Sequence, residues 1–406
     1  MNTSRVVALS SAVAFATQVA FALLMLRWFT PQEVGEFSVI SQIGFFWMTL
    51  ALAQAPLSLL ANQHLAPHFG AKQAWHASLL RGIGLLPIAA LAVWFSQLAL
   101  WPALLWALLL AFCQIGWMLA QSFTLRSGSH WQQAAVRVLP PATAAASALT
   151  TALFDASFAW QGPKLVLSAL LGYGVGAAWL VPALRSRAEH PITPAIQADT
   201  ASSASPLQAD PRSAPLRMAH TLVDALLATA IVVVWQRLYG AEETGCMSAL
   251  LRVLGFLPAV VHMAWAQVAL AQGHRPDQPT SAWANPWWLG LGAFACVIAL
   301  GGTCAVALDW QWLDTRWNGV LPYIAPLVLW QGCACLSASF SHRPFQTQSA
   351  HSYSWACMAL GLLQALVLLA PSVSGQAVDA SQHMAAFALV SALGLLGLAG
   401  WMARLR

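Results

Sequence analysis

Apolar runs long enough to cross a bilayer recur along the whole chain, and the short stretches between them hold most of its charge. This pattern constrains the fold more than any motif does. Lys, Arg, Asp and Glu make up 8% of the 406 residues, where a soluble domain carries about 25%. So few charges cannot cover a water-facing surface, which excludes a soluble multi-domain enzyme. Disorder is excluded as well, because it needs low hydrophobicity and high charge. What remains is an all-α, polytopic membrane protein, since about 20 apolar residues make one crossing.

Twelve spans are predicted, at residues 6–28, 37–60, 79–98, 101–121, 135–155, 164–184, 218–238, 247–270, 287–308, 323–341, 353–371 and 384–402. Residues 185–217 differ from all of them: rich in Pro, Ser, Ala and charge, they read as a flexible linker. The predicted organisation is a six-helix lobe over 1–184, a cytoplasmic linker over 185–217 and a second six-helix lobe over 218–406. The first apolar run ends on Arg27-Trp28-Phe29 rather than on small residues, so it is expected to remain as a span and not be cleaved as a signal peptide. Pro140-Pro141 interrupts the fifth span, and Pro56, Pro87, Pro258 and Pro326 are expected to bend theirs.

The net charge of +5 comes from loop Arg near membrane ends, a signal of orientation and not of nucleic acid binding. With the N-terminus inside, Arg27, Lys164, Arg237, Arg252 and Arg316 fall outside and the other 13 of the 18 Lys and Arg fall inside. Both termini and the linker are therefore expected in the cytoplasm. The seven cysteines lie in apolar runs without metal- or haem-binding spacing, and no metal or other cofactor is expected. Many of the 21 Trp sit at span ends, as an interfacial belt does, with sugar stacking open for a few.

An internal repeat adds a second constraint. RWFTPQEVGEFSVISQIGFF (residues 27–46) aligns without gaps on RLYGAEETGCMSALLRVLGF (residues 237–256). Arg27/Arg237, Glu33/Glu243, Gly35/Gly245, Ser38/Ser248 and Phe46/Phe256 are identical, five matches in 20 where composition gives about one or two. The repeat falls at the same place in each half, and two such halves are a transporter architecture. Gly35 and Gly245 are expected to permit a tight external turn. Glu33 and Glu243 are expected at the positive end of the next helix. Arg27 and Arg237 should close the preceding helix and snorkel, giving a gate-side hairpin that does not itself hold substrate.

The same segment resembles the P-E-x-G-x-F hairpin after the first helix of polysaccharide transporters. These are the O-antigen and capsule flippases of the multidrug/oligosaccharidyl-lipid/polysaccharide exporter superfamily. GWMLAQSFTLRSGSHWQQAAVRVL (116–139), GYGVGAAWLVPAL (172–184) and LLRVLGFLPAVVHMAWAQVAL (250–270) are similar to stretches of that family. The resemblance implies two pseudo-symmetric six-helix bundles around a central cavity. It also implies translocation of polyprenyl-pyrophosphate-linked oligosaccharide (an O-antigen, capsule or exopolysaccharide repeat unit) across the bacterial inner membrane by alternating access. Pyrophosphate and sugars would enter a cationic cavity while the lipid tail stays in the bilayer. A monomer is expected, with H+ or Na+ as candidate coupling ion.

Charges inside spans cost several kcal/mol and are candidates for function. Arg252 shares one helical arc with Ser248, Gly255, Ala259, His262 and Ala266. That arc is either a cavity wall where Arg252 meets pyrophosphate, or a packing face from which Arg252 snorkels outward. Asp224 shares a face with Arg217, His220 and Thr221. It is either neutralised locally or serves proton or cation coupling or a cytoplasmic gate. Gln18, Gln42, Gln54, Gln114 and Gln121 either hydrogen-bond sugars or join helices, and Arg81 and Arg137 are expected to anchor at the interface. The predicted substrate-binding set is Arg252, His262, Gln18, Gln42 and Gln114, and the gating or coupling set is Asp224, Arg27 and Arg237. A cation-coupled small-molecule exporter of the same fold and a lipid II flippase are the alternatives. A membrane polymerase or acyltransferase would need a large external loop or clustered catalytic acids and His, so no enzyme is expected.

Overall fold

The computed structural model describes residues 3–53, 55–61, 66–153, 163–185, 214–262, 285–347 and 349–405. Every element among them is helical. In order they are α1 (Thr3–Trp28), α2 (Pro31–Leu52), α3 (Ala55–Ala61), α4 (Pro67–Gly84), α5 (Leu86–Phe95), α6 (Leu100–Ser127), α7 (His130–Leu153), α8 (Lys164–Ala178) and α9 (Val181–Arg185). Then come α10 (Ala214–Leu254), α11 (Phe256–Val260), α12 (Pro286–Asp309), a 3-10 turn (Thr315–Val320), α13 (Leu321–Phe340), α14 (Arg343–Gln346), α15 (Ala350–Ser374) and α16 (Ala380–Arg404). The chain is a polytopic helical membrane protein.

Each predicted span is helical over most of its described residues, but their lengths differ from expectation. Seven helical stretches among the described residues are long and apolar enough to cross a membrane, eight if α4 and α5, bent by 48°, form one span. α10 runs through the seventh and into the eighth predicted span, breaking between them at Gly240, whose φ of +85° and ψ of −178° disfavour any residue with a Cβ. Most of the predicted linker lies outside the described residues. Its last four residues, 214–217, already belong to α10.

A proline leaves the carbonyl four residues back without its helical donor. Pro87 follows the bend between α4 and α5, as predicted. Pro140 and Pro141, predicted to interrupt a span, lie inside continuous α7. Pro140 cannot donate to the Val136 carbonyl four residues back; Trp117 Nε1 from α6 donates to it at 2.7 Å instead. Pro56 likewise leaves the Leu52 carbonyl at the end of α2 to Arg81 Nη1, at 3.3 Å. Arg126 caps α3 through the Leu59 carbonyl at 3.0 Å, and Arg343 caps α16 through the Ala403 carbonyl at 2.6 Å. A cation here satisfies an orphan carbonyl and opposes the negative end of the helix dipole. Arg81 is therefore a helix cap, whereas Arg137 bonds the Gln133 carbonyl of its own helix at 2.8 Å.

The chain divides into two compact units, Met1–Leu24 with Val39–Ala214, and Met25–Ser38 with Pro215–Arg406. The first is built around α6, whose buried side includes Leu110, Ile115 and Leu119. The second is built around α13, with Tyr323, Leu327 and Phe340 fully enclosed, and it includes the tip that joins α1 to α2.

Candidate functional site

The two copies of the repeat meet inside the second unit. A Cβ on Gly35 would overlap the Ala241 carbonyl, and one on Gly245 would overlap the Pro31 carbonyl. The contacts are reciprocal, because Ala241 occupies in the second copy the place of Pro31 in the first. Ser38 and Ser248, also equivalent, bond to each other at 2.8 Å with Ser248 donating. The repeat thus packs on itself about a local two-fold axis, as an isologous interface does. This corrects the expected turn at Gly35 and Gly245: both lie within helices, where the missing side chain lets two backbones touch. The turn of the second copy is at Gly240.

Away from the axis the copies differ. Thr30 and Glu33 form a capping box, with Thr30 Oγ1 accepting from the Glu33 N–H at 3.2 Å and the Glu33 carboxylate accepting from the Thr30 N–H at 2.8 Å. Gly240 stands in Thr30's place, and Glu243 accepts instead from the Tyr323 hydroxyl at 2.5 Å. Tyr323 also takes a bond from Trp235 Nε1 at 3.4 Å, and Trp235 stacks on His383 with ring centroids 4.8 Å apart.

Arg252 lies beside the axis. Its Nη2 donates to Ser38 Oγ at 3.2 Å, and its guanidinium sits 4.6 Å above the Phe37 ring. Ser38 donates its own proton to the Val34 carbonyl at 2.6 Å, so its oxygen is free to accept from both Ser248 and Arg252. His262 goes elsewhere. α10 ends at Leu254 and α11 begins at Phe256, with Gly255 between them in a right-handed helical conformation and its N–H bonded to the Leu251 carbonyl at 2.8 Å. Ala266 lies outside the described residues.

His262, His220 and Asp224 line one cavity of about 560 Å³ in the second unit. His220 Nε2 is 3.2 Å from the Asp224 carboxylate one turn on, and His262 Nδ1 is 3.1 Å from Ser341 Oγ. Gln364 of α15 also faces the cavity, tied to Ser391 at 2.7 Å. Gln331 of α13 lines it too, is 6% exposed, and makes no hydrogen bond among the described residues. Its carboxamide faces the cavity, where a ligand's polar group can reach it. Trp330 and Leu398 supply an apolar side. The imidazole–carboxylate pair can exchange a proton, the carboxamides and hydroxyls match sugar hydroxyls, and Trp330 offers a face for stacking.

The other predicted residues are dispersed. Arg27, in the last turn of α1, donates to the Trp312 carbonyl at 3.3 Å, and Arg316 donates to the Arg27 carbonyl at 3.3 Å. Arg237 is exposed at the equivalent place in α10. Gln18 is exposed on α1, Gln42 is half-buried on α2, and Gln114 is buried on α6 with its Oε1 unbonded among the described residues. All three glutamines belong to the first unit, whereas the cavity belongs to the second. Gln121 is half-buried on α6, and Gln54 lies outside the described residues.

Sequence reasoning does not single out Gln331, Tyr353, Cys357 or Gln364, which all line the cavity. Their signal is spacing. Gln331, Ala334, Ser337 and Ser341 recur at helical intervals, as do Tyr353, Cys357, Leu360 and Gln364, a polar face on otherwise apolar helices.

No family model and no curated protein matches the chain by sequence. Solved structures do match. The lipid II flippase MurJ in an inward closed conformation superimposes with a TM-score of 0.58 at 10% identity, over 99% of this chain and 87% of that one. An inward-facing multidrug resistance MATE family transporter of the MOP superfamily gives 0.50 at 11% identity, over 97% and 93%. The eukaryotic MATE transporter AtDTX14 gives 0.50 at 12% identity, over 100% and 96%. At such identities the likeness is one of fold, and the chain is a multi-pass helical membrane protein with the fold that MATE transporters and the MurJ flippase share.

Proposed function

We propose that the protein is a flippase that moves polyprenyl-pyrophosphate-linked oligosaccharide, an O-antigen, capsule or exopolysaccharide repeat unit, across the bacterial inner membrane by alternating access. The observation that carries this reading is the polar cavity of the second unit, with the unbonded Gln331 carboxamide inside it. Polar groups at membrane depth are expensive and are kept where they meet a substrate or ion. The fold likeness to a lipid II flippase and the P-E-x-G-x-F-like hairpin support the same reading.

In this scheme lobes 1–184 and 218–406 are joined by the linker 185–217, and both termini are cytoplasmic. His262 and Gln331 bind the polar head, and Gln18, Gln42 and Gln114 are the substrate-binding residues proposed for the first lobe. Asp224 with His220 carries the coupling ion, H+ or Na+. Arg27 and Arg237 act at the hairpin gate, and Arg252 contacts the pyrophosphate. Deletion in the bacterium that carries the protein should leave lipid-linked repeat units in the inner leaflet and abolish surface polysaccharide. Normal surface polysaccharide in the deletion strain would overturn the proposal.

The His220–Asp224 pair and the MATE likeness favour a second reading, a cation-coupled small-molecule exporter. Deletion would then cause drug or cation sensitivity with polysaccharide intact. A lipid II flippase would instead be required for growth.

A further inference from the structure

We propose that Cys357 is a covalent modification site for soft electrophiles, built from a thiol–imidazole–carboxylate row in the cavity of the second unit. The chemistry of the row holds whatever substrate the cavity carries. His220 and Asp224 are one turn apart on α10, with His220 Nε2 3.2 Å from the carboxylate. The Cys357 side chain hydrogen-bonds with His220 and with Tyr353, which lies one turn before it on α15. The Tyr353 ring stands edge-on to the imidazole, with centroids 5.8 Å apart. All of these side chains line the same cavity of about 560 Å³.

Three features set this thiol apart from an inert core cysteine. First, its proton has somewhere to go. The His220 imidazole can take it, Asp224 balances the imidazolium that forms, and the Tyr353 hydroxyl can donate to the thiolate that remains. Second, the thiol is reached from outside: Cys357 is half-buried, and the Asp224 side chain in the same cavity is 61% exposed. Third, the cavity holds a donor for the incoming molecule. Gln331 is 6% exposed, lines the cavity and makes no hydrogen bond among the described residues. Its carboxamide can donate to the oxygen of an α,β-unsaturated carbonyl, where negative charge builds up during addition. None of the other six cysteines lines this cavity. Cys246, Cys333 and Cys335 are buried, Cys113 and Cys304 are half-buried, and Cys296 is exposed on α12. The reaction is a conjugate addition. Sγ bonds to the β-carbon as the C=C π bond opens, and the thiol proton passes by way of His220 to the α-carbon, so nothing is oxidised or reduced.

N-ethylmaleimide is the probe. Full-length protein in phosphatidylethanolamine nanodiscs is treated with it at pH 7, and adducts are timed by mass spectrometry of peptides. Cys357 should react first of the seven cysteines, about tenfold faster than the exposed Cys296. A thiol without a partner is only about a few per cent thiolate at pH 7. His220→Gln should therefore slow Cys357 about tenfold and leave Cys296 unchanged, and Asp224→Asn should act in the same direction. Cys357→Ser should remove the fast adduct. Labelling of Cys357 no faster than Cys296, or a Cys357 rate indifferent to His220→Gln, overturns the site. Unfolding by sodium dodecyl sulfate accompanies each rate. If His220→Gln proves unstable, Asp224→Asn decides, and an unchanged rate in that variant overturns the site as well.

Discussion

Gly35→Ala and Gly245→Ala test the local two-fold axis. On an open helix face, glycine to alanine stabilises by about 0.5–1 kcal/mol, because alanine loses less backbone freedom on folding. Gly302 and Gly400 are such positions, with nothing within 4 Å of an added Cβ. At Gly35 the new methyl meets the Ala241 carbonyl and, at 3.0 Å, the Gly245 nitrogen. At Gly245 it meets the Pro31 carbonyl and, at 3.0 Å, the Pro31 Cα. All of these atoms are backbone, so no rotamer change relieves the overlap and the helices must separate. Overpacking of this kind costs about 1–3 kcal/mol, which outweighs the gain in helix propensity. A separation made for one methyl also makes room for the other across the axis. The double variant should therefore lose less than the sum of the singles, with a coupling of about 1 kcal/mol or more. Denaturation of the full-length protein from mild detergent by sodium dodecyl sulfate, followed by tryptophan emission, measures the wild type, the two singles, the double variant and Gly400→Ala. Strict additivity, or Gly35→Ala as harmless as Gly400→Ala, would refute the shared axis.

Other substitutions probe single links. Trp117→Phe keeps the ring but strands the Val136 carbonyl, and should destabilise by about 1–3 kcal/mol in the same assay; Trp101→Phe, 77% exposed, should stay within about 0.5 kcal/mol. Thr30→Ala breaks the capping box and should cost about 1 kcal/mol. Arg252→Ala releases Ser38 and Phe37, and complementation should fail while membrane yield holds; unchanged transport would remove Arg252 from the mechanism. Asp224→Asn keeps the shape beside His220 without the charge, and should abolish transport with thermal unfolding unaltered. Retained transport in that variant would leave Asp224 a neutralised bystander.

Where apolar runs are long the helices follow them, as α6, α12 and α16 do. Sequence fails where a break or a partner is decided from outside the run. Pro87 follows a bend, whereas Pro140 lies inside continuous α7 with the carbonyl it leaves free taken by Trp117 of another helix. The Arg81 and Arg126 caps depend on which helix end comes within reach. Asp224 and His262 are visible as polar groups in apolar runs, and both do line the cavity. Arg252 is equally visible, yet its partner Ser38 is 214 residues away, so its environment had no local signal. Gln331 and Gln364 carry no charge and become conspicuous only when their helical registers are laid side by side.

The repeat shows how an axis shapes sequence. A residue on the axis touches its own counterpart, so one change disturbs both copies at the same contact. Gly35/Gly245 and Ser38/Ser248 are in that position, and they are identical. Thr30 and Gly240 are off the axis and have separate neighbours, so each is free to serve its own half. Thr30 lets α2 begin with a box that occupies Glu33. Gly240 has no hydroxyl and adopts a φ that a threonine would resist, so the second copy forgoes the box. That loss is what makes Glu243 available to Tyr323, and through Tyr323 it meets Trp235 and the ring of His383 on α16. The same glutamate therefore fastens its own helix in one copy and ties the hairpin to the body of the second unit in the other. Restoring a cap with Gly240→Thr should not restore the first copy's geometry, because the backbone there is left-handed and Glu243 is already bound.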